Sequence, residues 1–154
     1  MGKMIISFVL IFLFGCAAAY EKPATQTQVH SISVAKSKEE IFSVASKVLA
    51  MEGYTITASD INTGIISTAK SRKALTEADC DCGTTMGIAY IKDKRTTTEA
   101  AINIVVDGNG VFNIIASISG EYLPNNPTYG KTFECVSTGT IEQNIINKIQ
   151  NHLR

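Results

Sequence analysis

The chain has 154 residues, and its 14 basic and 14 acidic side chains cancel at neutral pH. This length suits one domain with a hydrophobic core, and the balanced charge without a basic stripe argues against a nucleic-acid-binding protein. Tryptophan is absent and aromatic residues make up only 7% of the chain, which argues against a carbohydrate-stacking platform.

The first residues have the form of an export signal. Lys3 supplies a positive charge, and residues 4–14 form an uncharged apolar run that suits a signal peptide but is too short to span a bilayer. The run ends in Leu-Phe-Gly-Cys16, which resembles the bacterial lipobox. That resemblance implies diacylglyceryl transfer to Cys16, removal of the signal peptide, residues 1–15, and acylation of the new amine.

The resemblance also implies where the protein works. Each buried methylene contributes about 0.8 kcal/mol, so the two or three chains of a mature lipoprotein cysteine hold it on a membrane that it does not cross. Ala17 follows Cys16, where the family's retention signal is Asp. We therefore expect a palmitate-bearing lipoprotein of the outer membrane, facing the periplasm. An ordinary secretory signal with a chance cysteine is the alternative.

The next segment, residues 16–28, is small and polar and has no apolar periodicity, so it is predicted to be a flexible tether. A single domain, residues 29–154, follows it. Its first element is predicted to be a strand at residues 29–35.

A helix is predicted to begin after Ser37, because Ser37 and Glu40 have the spacing of a capping box. Gly53 stands where a left-handed C-terminal cap is expected. Apolar residues fall on one face between these ends: Ile41, Phe42, Ala45, Val48 and Leu49. A strand hairpin follows, with strands at residues 54–59 and 65–70.

Residues 71–87 are irregular, and a segment of that length is either functional or tied down. A second hairpin follows, with strands at residues 96–106 and 111–119 joined by the turn Asp-Gly-Asn-Gly110. The second strand has an apolar face and an opposite face on which Val111 and Ile115 are less polar than solvent requires. We expect a loop, a ligand or a partner to cover part of that face.

Residues 121–134 contain two prolines and are predicted to be a second long connection rather than a central strand. The last element is a helix at residues 140–153, capped by Ser137 or Thr140 and with Glu142 in its first turn. Isoleucines recur on one of its faces. The whole order predicts an α+β fold, an antiparallel sheet with two helices packed on one face.

Three cysteines, Cys80, Cys82 and Cys135, remain after lipidation. Because an exported protein meets oxidising conditions, the leading interpretation is a structural disulfide between Cys135 and either Cys80 or Cys82. The alternatives are free thiols or intermolecular pairing and a redox-active Cys80 and Cys82 pair, although Asp79 and Asp81 beside these thiols disfavour thiolates.

No metal site or cofactor is predicted, since the Cys80 and Cys82 spacing is one residue short of a zinc knuckle. Asp79 and Asp81 could bind a cation, but acidic loop residues are usually solvated. His30 and His152 lie near the two ends of the predicted domain and do not suit a general base. We therefore predict no catalytic residues and no enzyme activity.

The first helix runs through Gly53-Tyr54 directly into a hairpin, in the sequence Val48-Leu-Ala-Met-Glu-Gly-Tyr-Thr-Ile. This arrangement resembles the helix-grip domains of envelope lipoproteins such as BamC, an accessory of the outer-membrane barrel assembly machinery. The favoured function is a non-enzymatic interaction or scaffold domain, anchored in the envelope and with a protein partner there. The alternatives are a carrier of a small apolar ligand or lipid between sheet and helix, and a thiol oxidoreductase.

Overall fold

A computed structural model describes residues 19–24, 26 and 28–154. The predicted signal peptide, residues 1–15, and the predicted lipidation site at Cys16 lie outside the described residues, as does part of the predicted tether. Within the described ranges, neither helix has the length and apolar character that crossing a membrane requires.

Two helices and eleven strands make up the described part of the chain. The helices are α1 (Lys38–Met51) and α2 (Thr140–Leu153). The strands are β1 (Tyr20–Glu21), β2 (His30–Ser33), β3 (Ile56–Asp60), β4 (Ile65–Thr68), β5 (Ser71–Lys73), β6 (Cys80–Asp81), β7 (Thr84–Thr85), β8 (Ile88–Ala89), β9 (Thr96–Val106), β10 (Val111–Tyr122) and β11 (Lys131–Ser137).

Eight of these strands form one antiparallel sheet in the order β3-β4-β9-β10-β11-β6, in which β5 also pairs with β9 and β2 with β10. The other three form a small sheet in the order β1-β7-β8. Both helices pack on the same face of the large sheet. The predicted fold class, α+β with two helices on one face, is confirmed.

The central hairpin, β9 and β10, sets the two faces of the sheet. Because side chains alternate along a strand, its even-numbered residues face the helices and its odd-numbered residues face away. Ile102, Ile104, Phe112 and Ile114 are fully buried on the helix face. On the open face the side chain of Val105 is 43% exposed.

The predicted ends of α1 are confirmed. The Ser37 hydroxyl accepts the backbone N–H of Glu40, and the Glu40 carboxylate accepts the N–H of Ser37, which completes the capping box. Gly53 follows the helix with a φ of 72°, a left-handed conformation that glycine adopts without steric cost. The predicted apolar face is buried, and its residues are Ile41, Phe42, Ala45, Val48 and Leu49.

The extent and the apolar stripe of α2 are also confirmed, but its predicted cap is wrong. The helix follows Gly139, whose φ is 95°, and no side chain caps it. The Ser137 hydroxyl instead accepts the N–H of Gly139 and donates to Glu142. The Thr140 hydroxyl donates to the carbonyl of Ala78.

Glu142 fills a gap in the sheet. On one side of β10, β2 pairs with residues 111–114 and β11 with residues 118–122, and the segment between them has no strand partner there. The Glu142 carboxylate, fully buried, accepts the N–H of Ala116 in that gap at 3.0 Å and the Ser137 hydroxyl at 2.6 Å. A helix side chain therefore takes the place of a strand.

Three predicted segments differ from the structure. The predicted irregular segment at residues 71–87 contains the short strands β5, β6 and β7. The predicted connection at residues 121–134 is shorter, because β10 continues to Tyr122 and β11 begins at Lys131. The predicted tether at residues 16–28 contains β1, which pairs with β7. Strand β1 is specified by long-range pairing, and its local sequence has no periodic apolar signal. Strand β11 does alternate, with Phe133 and Cys135 buried between more exposed residues.

Candidate functional site

The disulfide bond joins Cys82 to Cys135, across 53 positions of sequence. The register explains this choice of partner. Ser137 pairs with Cys80 and Val136 with Asp81 in the β11 and β6 ladder, so the next position places Cys82 opposite Cys135. The predicted structural disulfide between the two long segments is confirmed, and the sequence had left open which cysteine pairs with Cys135.

Cys80 is a buried free thiol among the described cysteines. Its Sγ lies 3.9 Å from Cys82 Sγ, and the three sulfurs all lie within 4.8 Å of one another. A thiolate attacks a disulfide along the line of its S–S bond. The Cys80 sulfur lies beside the Cys82–Cys135 bond and not on that line. Burial, followed by the charges of Asp79 and Asp81, raises the pKa of the Cys80 thiol to about 12. The predicted effect of the two aspartates is confirmed, and the arrangement is that of an unreactive thiol.

Asp79 and Asp81 hold the loop around these cysteines. The Asp79 carboxylate accepts both the N–H and the hydroxyl of Thr76. The Asp81 carboxylate accepts the N–H of Gly83 at 2.8 Å and the N–H of Ala24 at 3.3 Å. Their carboxylate oxygens thus accept hydrogen bonds from the turn residues and from the N-terminal segment.

The three sulfurs are close enough to ligate one metal ion. Zinc binds thiolates, however, and in the oxidised protein Cys82 and Cys135 have none to offer because their sulfurs are bonded to each other. The absence of a metal site stays a prediction. The two histidines contact other parts of the molecule: His30 Nε2 is buried beside Gly139 without a hydrogen-bond partner in the described part of the chain, and His152 Nδ1 lies 2.9 Å from the Lys148 carbonyl.

Four aromatic side chains gather next to the disulfide, from segments that are far apart in the sequence: Tyr20, Tyr90, Tyr122 and Phe133. Tyr90 is the centre of this aromatic cluster, with its ring centroid 5.8 Å from that of Tyr20 and 4.8 Å from that of Phe133, and Phe133 in turn lies 6.1 Å from Tyr20. Tyr90 also contacts Tyr122 edge to face at 5.3 Å. Sequence reasoning missed this cluster, because nothing in the local pattern links its members.

Hydrogen bonds and cations fix the aromatic cluster. The Tyr20 hydroxyl donates to the Cys82 carbonyl at 3.3 Å, and the Thr85 hydroxyl donates to Tyr90 Oη at 2.7 Å. Lys131 Nζ lies 4.1 Å from the centroid of Tyr20. Such cation–π contacts contribute about 0.5–1 kcal/mol each at exposed sites.

Arg95 closes the other end of the aromatic cluster. Its guanidinium lies 5.0 Å from the centroid of Tyr122 and donates two hydrogen bonds to Asp93. These hydrogen bonds hold the pKa of the Asp93 carboxyl at about 2. Beside them, a cavity of about 220 Å³ opens between this end of the large sheet and the β7 and β8 hairpin.

The β7 and β8 hairpin presents apolar side chains to solvent. Its turn consists of Met86 and Gly87, both with positive φ, and the strands on either side pair Thr85 with Ile88. The side chain of Met86 is 75% exposed and that of Ile88 is 68% exposed. We call this apolar turn, Met86 to Ile88, the hairpin tip.

The open face of the large sheet is the second candidate surface. At the end near the β9 and β10 turn it carries Ile65 beside Val105 and then Asn113 beside Ser31, with Ile115 in the next row. At the opposite end it carries charged side chains: Arg72, Glu99, Glu121 and Glu134. The end with Val105 is therefore apolar or uncharged apart from the Asp60 carboxylate at its border, opposite Ile65, and we call it the neutral patch.

The aromatic cluster, hairpin tip and neutral patch supply stacking, cation–π and apolar contacts. In the aromatic cluster these contacts join side chains of the chain itself, whereas the hairpin tip and the neutral patch expose apolar side chains to solvent.

Comparison with known proteins gives little beyond the geometry. No family model matches the chain, and no curated protein matches it. A crystal structure of a TBP-like protein from Parabacteroides distasonis is similar, with a TM-score of 0.44 and 19% identity over 70% of this chain. The matched region spans 64% of that protein's length. This similarity identifies neither a family nor an activity for the chain.

Proposed function

We propose that this protein is a lipid-anchored lipoprotein of the bacterial envelope whose domain binds a protein partner without catalysing a reaction. The observation that carries the proposal is the Cys82–Cys135 disulfide, in a chain whose N-terminal region has a lipobox-like sequence ending at Cys16. Disulfides persist in oxidising compartments outside the cytosol, where a lipobox would deliver the chain. Two independent features thus point to export.

The proposal also gives the location and the class of protein. Ala17 after the anchored cysteine supports sorting to the outer membrane, with the domain facing the periplasm. The passage from helix to Gly53 and then to a hairpin is the feature that resembles the BamC-type helix-grip domains of envelope lipoproteins.

The neutral patch is the surface that we assign to the partner. Ile65 and Val105, adjacent in the sheet, are 42% and 43% exposed. Hydroxyl and amide side chains surround them, and the one carboxylate beside them is that of Asp60, opposite Ile65 at the border. A matching surface would be apolar with uncharged hydrogen-bonding groups, as in the centre of many protein interfaces. Anionic headgroups would find no cation there, which favours a protein over a lipid surface.

A carrier of an apolar ligand would need space between the helices and the sheet. Side chains fill that layer in the structure. Leu49 of α1, Phe112 of β10 and Ile146 of α2 are all fully buried in it. The scaffold proposal needs no such cavity, and we favour it for this reason.

Metabolic labelling with an alkyne fatty acid tests the anchor. Cys16→Ala should abolish the labelling and release the protein to a soluble fraction, because the acylated thiol is lost. Cys80→Ala is the matched control, since it also removes one thiol but leaves the lipobox intact. Undiminished labelling of Cys16→Ala would contradict the lipoprotein proposal.

A photo-crosslinking amino acid at Val105 tests the partner surface in cells. We expect a discrete protein adduct from Val105 and none from Lys47, an exposed position on the outer side of α1. Adding Ile65→Asp should remove the adduct, because the charge enters the neutral patch next to Val105. An adduct that survives Ile65→Asp, or equal adducts at both positions, would contradict this assignment.

A further inference from the structure

We infer that the hairpin tip contacts the bilayer that holds the lipid anchor, placing Met86 and Ile88 at the membrane interface. The inference rests on the proposed lipidation of Cys16. It adds an orientation, in which the domain has one defined end against the membrane, and it does not concern the protein partner.

The first argument is where the N-terminal segment joins the fold. Strand β1 runs antiparallel to β7 and pairs Tyr20 with Thr85, the last residue before the turn. Residues before Tyr20 therefore leave the domain at the turn end of the hairpin. Three contacts hold this exit point next to the disulfide: the β1 and β7 pairing, the Tyr20 hydrogen bond to the Cys82 carbonyl, and the packing of Tyr20 in the aromatic cluster.

The second argument is the length of chain that remains. Cys16 lies four residues before Tyr20, and four residues span at most about 14 Å. Lipids on Cys16 reside in the membrane, so Tyr20 and the neighbouring hairpin tip would stay within that distance of its surface. A tether that continued to residue 28 would have allowed much greater freedom.

The third argument is the chemistry of the surface at that exit. Met86 and Ile88 are the two most exposed large apolar side chains on the hairpin, at 75% and 68%. Met86 lies in the two-residue turn, and Ile88 is the first residue of β8 directly after it. Exposed apolar side chains at such a turn gain free energy when they leave water for the interfacial region of a bilayer.

The chain lacks tryptophan, so a single introduced tryptophan reports its own surroundings. We would purify the lipidated full-length protein as an Ile88→Trp variant and place it in vesicles of phosphatidylethanolamine and phosphatidylglycerol. The emission of Trp should shift to the blue, and brominated lipids should quench most of it. Met86→Trp, on the other side of the turn, should behave in the same way and guards against a local effect at residue 88.

Ile65→Trp is the matched control, because it makes the same substitution at a partly exposed strand position. Ile65 lies beside Val105, about 30 Å along β9 from the end that faces the hairpin. Its emission should be unaffected by brominated lipids.

The outcomes separate this inference from the anchor itself. Protein that floats with the vesicles but shows no quenching at either residue 86 or residue 88 would overturn the orientation while leaving the anchor intact. Quenching at residue 65 equal to that at residue 88 would overturn it as well. Protein that carries no lipid and does not float would overturn both the anchor and the orientation.

Discussion

Cys135 ties β11 to the loop that carries Cys80 and Cys82, and its loss should weaken the whole domain. Closing a loop of 53 residues reduces the entropy of the unfolded chain, so Cys135→Ser should lower the free energy of unfolding by about 4 kcal/mol. Chemical denaturation with and without a reductant measures this. The difference between variant and parent should largely disappear in the reductant, since both chains then lack the bond.

Alkylation of the native protein gives the matching control for that experiment. Cys80 is buried and its thiol has a pKa of about 12, so near neutral pH the parent protein should react only after unfolding. Cys80→Ala should retain the disulfide and most of the stability. Peptide mapping that finds Cys135 unpaired in protein isolated from the envelope would contradict the structural bond.

Glu142 completes the sheet where β10 lacks a strand, and this buried carboxylate is a second sensitive position. Glu142→Leu leaves the N–H of Ala116 and the Ser137 hydroxyl without their partner, and each unsatisfied buried group costs about 1–3 kcal/mol. We expect a clear fall in melting temperature. Glu142→Gln keeps an acceptor for Ala116 and should lose less.

Gln143→Leu is the control for Glu142, because the neighbouring side chain is exposed on the same turn of α2. It should leave the melting temperature close to that of the parent. If Glu142→Leu were as stable as Gln143→Leu, the carboxylate would not be holding the gap in β10.

Among the elements, those with strong local signals could be predicted from the sequence. The capping box and the apolar stripes predicted α1 and α2. The turn signal around Gly110 predicted β9 and β10. Strands of two or three residues, such as β6 and β8, could not be found, because their positions depend on partners distant in the chain. The same limit applies to the disulfide, since the β11 and β6 register decides between Cys80 and Cys82.

The stripe on α2 should carry a large share of the packing between helices and sheet. Ile145 is buried in the middle of the helix, so Ile145→Asp places an unpaired charge in the apolar layer and should unfold the domain. Asn144→Asp adds the same charge at the adjacent exposed position and should be nearly neutral. Circular dichroism on heating compares the two, and a melting temperature for Ile145→Asp within a degree or two of the parent would contradict the packing.

At the scale of the whole molecule, the surfaces divide by position. The exit of the N-terminal segment, the disulfide and the hairpin tip lie together, whereas the neutral patch lies at the far end of β9 and β10. A membrane at the first end would therefore leave the neutral patch accessible to the proposed partner. This separation makes the proposed anchor and the proposed interaction surface compatible in one small domain.

The N-terminal segment gives the last test of that arrangement, because the sequence predicted it to be a tether and the structure makes part of it a strand. A chain beginning at Gln28 should still fold, since the buried layer between helices and sheet lies beyond it. It should nevertheless lose about 2 kcal/mol relative to a chain beginning at Ala19, as the Tyr20 contacts with Phe133 and Tyr90 and the hydrogen bond to Cys82 disappear. Urea unfolding of the two chains measures the difference.

Tyr20→Ala in the longer chain should reproduce most of that loss, and Glu21→Ala, which removes only an exposed hydrogen bond to Thr84, should not. Equal stability of the two chain lengths would mean that β1 adds nothing to the fold. In that case the chain could leave the domain as far along as residue 28, and the short reach between Cys16 and Tyr20 would no longer orient the hairpin tip toward the membrane.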